Sequence, residues 1–329
     1  MIDLASLLRL PCLGDDLARV ETALLVSIEA DDPFLTEVAG HLISAGGKRL
    51  RPALTLAAAS TADGGDVTPA SRDVVMGATA VELVHLGSLY HDDVMDEAES
   101  RRGVESVNAR WGNLVAILAG DFLLARASEI AASLGTEVAG LLAATISRLC
   151  TGQVREVRTA FDSTRTEAAY LASITDKTGA LMAASCRIGG ITARLPRAHI
   201  DALTTYGQQL GMVFQIVDDI LDVVATDEQL GKPAGNDLVE GVYTLPVIRA
   251  LADSDGADDL AALLGGPIDR AGADRARALI RSNGAVAAAK DVARLYAKEA
   301  AAVLDEFPES PVVGALRGVG DHLIDTIPG

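Results

Sequence analysis

Apolar residues recur at helical spacing along almost the whole chain. Between residues 15 and 30, Leu17, Val20, Leu24 and Ile28 fall on one stripe, at i, i+3, i+7 and i+11. A second helix is predicted for 33–44. It ends at AGGKRLRP, where paired glycines break it and Pro52 can start the next. The stretch TADGGDVTPA (61–70) reads as a loop, and a long apolar helix follows from about 70 to 97. Further helices are predicted near 113–133, 136–161, 166–193, 197–225, 240–253, 272–282, 286–306 and 312–326. No run of alternating β-branched residues suggests a sheet. No repeat, low-complexity run or Pro/Ser-rich linker divides the chain. The predicted fold class is all-α: one domain over 1–329, a large bundle of long, mostly antiparallel helices, apolar nearly all round and so mutually buried. One long polar gap, about 226–239, separates apolar helices. The interval 254–270 reads as the most variable part, a solvated loop with a helix cap. Asp253, Asp255 and Asp258 do not match a calcium-loop register.

Composition narrows this further. The chain has 329 residues, 49% hydrophobic and only 3% aromatic, which allows a large core and favours helix over sheet. A net charge of −18 argues against non-specific binding to nucleic acid or anionic lipid. An anionic substrate would therefore need local cations or metal ions. Cys12, Cys150 and Cys186 are odd in number and lack C-x-x-C spacing, which fits structural thiols in a reducing cytoplasm. The start, MIDLASLLRLPCLGDD, has no basic n-region. The most apolar window, 74–90, is broken by Glu82 and His85, so it reads as a buried helix rather than a transmembrane span.

The candidate chemistry lies in the acidic patches. LYHDDVMDEAESRRG (89–103) crowds acids together and sets Arg101 and Arg102 behind them. Asp92, Asp93 and Asp96 spell D-D-x-x-D, and so do Asp218, Asp219 and Asp222 in FQIVDDILD. On a helix the first and last aspartates of each motif share a face about a turn apart. Each pair can offer hard oxygens to one cation, and magnesium suits them because it completes its shell with water and phosphate oxygens. One such motif is weak evidence, since acidic helix faces are common. Two copies, each in an apolar helix and each followed by basic residues, point to a diphosphate bridged by metal between facing helices. GGKRLRP adds Lys48, Arg49 and Arg51 in a glycine-rich break at a helix start, a setting that suits phosphate. DKTG (176–179) places a cation and a hydroxyl inside an apolar helix.

Together GGKRLRP, HLGSLYHDDVMD…RRG, DKTG, FQIVDDILD and GKPAGND resemble the trans-isoprenyl diphosphate synthases of the polyprenyl synthetase family, over about residues 40–250. The resemblance implies helices around a central active-site cavity, a homodimer, and several Mg2+ ions per site. It implies magnesium-dependent head-to-tail condensation of isopentenyl diphosphate with an allylic prenyl diphosphate. By motif position, Lys48, Arg51, His85 and Arg102 would bind isopentenyl diphosphate. Asp92 and Asp96, with Asp93 beside them, would hold metal from one helix; Asp218, with Asp219 and Asp222, would hold it from the other. Arg101, Lys177, Thr178, Gln215 and Lys232 would contact the allylic diphosphate. One departure stands out: after GKPAGNDLVEG the family usually has lysine, and this chain has Val242. Weaker allylic binding or slower ionisation is the expectation.

Two other readings share part of this pattern. A class I terpene cyclase would normally carry a different second motif and many aromatics. A non-catalytic partner subunit of a prenyl synthase need not retain the ligands present here. Product length is read from the residues before Asp92. Gly87 and Ser88, where the resemblance puts bulky residues in short-chain enzymes, would form an open product-length gate. Small or medium side chains at Val84, Val81, Ala80 and Gly77 would continue the path, giving a product of geranylgeranyl length or longer.

Overall fold

A computed structural model of the chain describes residues 8, 10–63, 68–230, 233–252 and 256–328. Helices account for nearly all regular structure: α1 (Leu13–Ser27), α2 (Pro33–Ser44), α3 (Leu50–Ser60), α4 (Arg72–Met95), α5 (Val107–Trp111), α6 (Asn113–Ser133), α7 (Thr136–Arg158), α8 (Glu167–Ile174) and α9 (Ala180–Thr192). After these come α10 (Arg197–Val224), α11 (Asp227–Leu230), α12 (Asn236–Glu240), α13 (Leu245–Ala252), α14 (Ala257–Leu263), α15 (Arg270–Ser282), α16 (Ala285–Val303) and α17 (Pro311–Asp325). Two short strands, β1 (Ser100–Arg101) and β2 (Val104–Glu105), form a tight antiparallel hairpin.

Local chemistry sets the helix starts. Asp32 accepts from the Phe34 amide with Pro33 at the first position, and Ser71, Thr166 and Ser310 cap α4, α8 and α17 through their hydroxyls. The long helices α4 and α10 bury side chains around most of their circumference. α9 packs on both of them, while α6 and α3 cover other sides of α4, and α16 and α17 cover α10. Inside, Tyr90 and Tyr206 are fully buried, yet each hydroxyl donates to a carbonyl, of Val38 at 2.7 Å and of Leu316 at 2.8 Å.

Three expectations need correction. The helix predicted for 166–193 is two helices joined by a wide π-type turn, Thr175–Gly179, because the DKT side chains are tied to neighbouring helices. The helix predicted for 240–253 starts only at Leu245, after Gly241 adopts a left-handed φ of 76°. The interval read as a solvated loop contains α14, anchored by the buried Leu260. Asp253 and Asp255 lie outside the described residues. Among the described residues, no helix is long and apolar enough to cross a membrane.

Candidate active site

α4 ends on the first aspartate motif. Burial pushes the Asp92 carboxyl up to about 6, against the pull of Lys177 and with the help of its neighbour Asp96. Asp96 is raised for the same main reason, burial, and it too feels Lys177 and Arg101. Asp93 faces the other way. It is fully buried and accepts from Arg101 Nε at 2.7 Å and Nη2 at 2.6 Å. Arg101, expected at the allylic diphosphate, is thus held by Asp93 while its side chain stays 32% exposed.

The π turn delivers Lys177. α7 can approach it closely because Gly152 has no side chain: a Cβ there would stand 2.6 Å from the Lys177 amide nitrogen. One turn further along α7, Glu156 accepts from the Lys177 ammonium. Burial alone would lower the lysine pKa, but Glu156, Asp92 and Asp96 outweigh it and hold it raised. Asp176 points outward to Arg148 at 2.8 Å and to Arg155. Thr178 donates to Gln215 Oε1 at 2.7 Å, and Gln215 Nε2 donates to Asp219 at 2.8 Å. The DKT segment is therefore fixed between α7 and α10.

On α10 the second motif splits its duties. Asp218 is exposed. Asp219 is 4% exposed and accepts from both Gln215 and the Tyr170 hydroxyl. Burial pushes its carboxyl up to about 7, which those hydrogen bonds only partly oppose. Asp222 is buried and accepts from the Asp237 amide at 3.3 Å, while its own carbonyl accepts from the Gly235 amide at 2.9 Å. It anchors the loop after α10. Asp219 and Asp222, both expected beside the metal, are committed to protein partners. Lys232 lies outside the described residues.

A separate basic cluster surrounds the buried Glu82. Arg49, in a left-handed backbone conformation, turns inward to Glu82 at 3.1 Å and to both carboxylate oxygens of Glu21. Arg102 donates to the carbonyls of Leu42, at 3.1 Å, and Gly46, and stands 3.9 Å from Glu82. Arg51 carries a buried Nε without an acceptor among the described residues, and burial pushes its pKa down to about 10. Burial, reinforced by Arg51, Arg102, Arg101 and Arg49, drives the His85 imidazole well below its ordinary pKa, so it is neutral. Lys48 is exposed. The structure thus brings Arg51, His85 and Arg102 to one cluster, and Asp92, Asp96 and Lys177 to another.

The proposed product gate needs correction at Gly87. A Cβ there would meet the Gly120 carbonyl oxygen at 3.0 Å and Leu124 at 3.2 Å, so this glycine seats α4 on α6. Ser88 is half-buried, on the same stripe as His85 and Asp92, with its hydroxyl on the His85 carbonyl at 2.8 Å.

Sequence reasoning did not assign Glu21, Glu82, Glu156 or Tyr170. Glu82 had a signal, as a charge breaking an apolar window one turn before His85. Glu156 had only its spacing from Gly152.

The residues fit a magnesium-bound diphosphate. Asp92 and Asp96 present hard oxygens that make no hydrogen bond to a described residue, and their mutual repulsion is only partly offset by Lys177. Among the described residues no three acids, histidines or cysteines form a ready-made cage. Magnesium takes one or two carboxylates and fills the rest of its shell from water and phosphate.

Residues 32–280 match the family model described as Polyprenyl synthetase. The chain is 40% identical over 310 residues to a nonaprenyl diphosphate synthase of Mycobacterium tuberculosis, covering 93% of this chain and 91% of that protein. It is 39% identical over 312 residues to heptaprenyl diphosphate synthase component 2 of Geobacillus stearothermophilus, covering 94% and 96% respectively. Its fold superposes, with TM-score 0.90 and 35% identity over 99% of this chain and 98% of the other, on a polyprenyl synthase from Caulobacter crescentus CB15 complexed with calcium and isoprenyl diphosphate. The chain belongs to the polyprenyl synthetase family.

Proposed function

We propose that the chain is a trans-prenyltransferase that condenses isopentenyl diphosphate with an allylic prenyl diphosphate to give an all-trans polyprenyl diphosphate and diphosphate. The observation that carries this is the pair of unlike clusters: Arg51, His85 and Arg102 in one, Asp92, Asp96 and Lys177 in the other. The first suits a diphosphate bound by cations directly, the second one bound through metal. Asp92, Asp96 and Asp218 would hold Mg2+, which supplies Lewis-acid stabilisation of the leaving diphosphate. Lys177 and Arg101 stabilise the same developing charge from the protein. Lys48, Arg51, His85 and Arg102 orient isopentenyl diphosphate so that its double bond attacks the allylic cation. The carbon chain lengthens by one isoprene unit and a proton leaves, with diphosphate as the acceptor. Buried helix walls exclude the water that would quench the cation.

The reading extends to a product of geranylgeranyl length or longer, supported by relatives named for nonaprenyl and heptaprenyl products. It treats the chain as one catalytic unit, a homodimer in the cytoplasm. Exposed Leu114, Ile117 and Leu118 along α6 offer an apolar face for a second copy, and all three cysteines are unpaired. The test is chromatography of products from purified chain, isopentenyl diphosphate, Mg2+ and each allylic primer. Long all-trans products from the chain alone support the proposal; no turnover with any primer overturns it. A relative named as component 2 favours a second reading, in which this chain turns over only with another subunit. The same assay decides between them.

A further inference from the structure

The segment from α8 to α9 is regular at both ends and wide in the middle, where the Ala180 amide donates five residues back, to the Thr175 carbonyl. Such a wide turn is rare in proteins. Both neighbouring helices make room for it. On α7 a Cβ at Gly152 would stand 2.6 Å from the Lys177 amide nitrogen, and on α10 one at Gly211 would stand 2.7 Å from the Gly179 Cα. α7 also grips the turn by its side chains. Arg148 Nε donates to Asp176 Oδ1 at 2.8 Å, and its Nη2 donates to the Thr175 carbonyl at 3.4 Å. Arg155 Nη1 donates to Asp176 Oδ2, and to the Ala172 carbonyl at 3.3 Å. Both carboxylate oxygens of Asp176 are thus taken. Arg148, Gly152, Arg155 and Glu156 stand at i, i+4, i+7 and i+8 on one stripe of α7, and the last accepts from the Lys177 ammonium. One helix therefore meets Asp176, the Lys177 backbone and the Lys177 side chain.

We propose that Asp176, clamped by Arg148 and Arg155, is a positioning residue for Lys177, an inference that rests on the proposed synthase reading. The apolar sequence around it favours one continuous helix, and the clamp opposes that by holding the turn open. Closing the turn to the four-residue spacing of an α-helix would rotate Lys177 about the axis and carry its ammonium off Glu156. Asp176 touches no substrate. It acts through the turn, by fixing where the Lys177 charge meets the leaving diphosphate.

Two readouts on four proteins test this: the native chain, Asp176→Asn, Asp176→Glu and the double variant Arg148→Gln with Arg155→Gln. The first readout is steady-state kinetics. Asp176→Asn and the arginine double variant should each lower kcat at least about tenfold, because a small misplacement of a catalytic group is costly. The isopentenyl diphosphate KM should stay within about twofold, as for a distant site. Asp176→Glu keeps the charge, and the half-exposed arginines can follow it, so it should restore most of the turnover. The second readout is the rate at which an N-hydroxysuccinimide ester acylates Lys177, followed by mass spectrometry. That rate should rise several-fold in Asp176→Asn and in the double variant, and return toward native in Asp176→Glu. Native-like acylation and kcat in both clamp variants would overturn the proposal. So would equal rises in both substrate KM values with a lowered melting temperature, the pattern of a merely structural contact. If Asp176→Asn does not fold, the arginine double variant decides alone. Failure of the synthase reading looks different: the native chain would elongate no primer, while acylation would still report where Lys177 is held.

Discussion

α4 and α10 carry the same five-residue spelling, D-D-x-x-D, and use it differently. On α4 the first and last acids, Asp92 and Asp96, stand beside Lys177, and only the middle one, Asp93, is consumed by the protein, in its pair with Arg101. Of the three motif acids on α10 only Asp218 is exposed; Asp219 closes a hydrogen-bonded chain with Tyr170 and Gln215, and Asp222 ties down the following loop. The reason is what surrounds each motif. The α4 motif falls at its last turn, so its far end reaches open space. The α10 motif is flanked by the buried Ile216, Val217, Ile220 and Val223, which draws its second and fifth residues into the core. A motif specifies residue types; burial and partners decide which of them remain available.

The largest expected effect breaks this comparison at its first position. Asp92→Ala and Asp218→Ala should each lower kcat roughly a hundred- to a thousandfold, the range for losing one group that stabilises developing charge. Their melting temperatures should hold or rise. Asp222→Ala should instead lose stability, about 1–3 kcal/mol for a buried amide left without its acceptor. Calorimetry beside steady-state kinetics separates the two patterns. Equal loss of melting temperature across all three would remove the distinction.

A second contrast lies one turn earlier on α4. Gly87→Phe should lower the melting temperature by several degrees, since overpacking a helix contact costs about 1–3 kcal/mol or more. Ser88→Phe should fold normally and shorten the main product. An unchanged product distribution from Ser88→Phe would mean that the growing tail does not pass this face.

Smaller effects are expected in the basic cluster. Lys48→Ala should raise the KM for isopentenyl diphosphate about tenfold, as for loss of one charge-assisted contact, with the allylic KM nearly unchanged. Lys48 is exposed, so stability should not move. His85 gives the smallest signal. Its pKa is depressed in the folded chain, so the unfolded chain binds the extra proton first as pH falls. Stability should therefore decline below about pH 6.5, the ordinary histidine value, and His85→Gln should flatten that part of the profile. A profile unchanged by the substitution would show that His85 is not the group responsible.

The helical class and most helix spans were legible because apolar periodicity survives in long buried helices. The two aspartate motifs and Lys177 stood out in the sequence because charges inside apolar runs are conspicuous. What sequence could not reveal is direction. Lys48 and Arg49 are neighbours in the same basic break, yet Lys48 is exposed while Arg49 turns into the core toward Glu21 and Glu82. Gly87 read as open space, whereas its missing Cβ is filled by the Gly120 carbonyl of another helix. Glu156 acquires meaning only through its contact with Lys177, which tertiary packing creates.

The unequal division of labour is tested most directly by calorimetric titration of Mn2+ in the presence of an allylic diphosphate, on single asparagine variants of all six aspartates. Asn at 92, 96 or 218 should weaken metal binding at least about tenfold with stability retained, as expected when a metal ligand with no protein partner is lost. Asn at 93, 219 or 222 should keep near-native metal affinity and lower the melting temperature. Equal loss of metal affinity at all six positions would contradict the account.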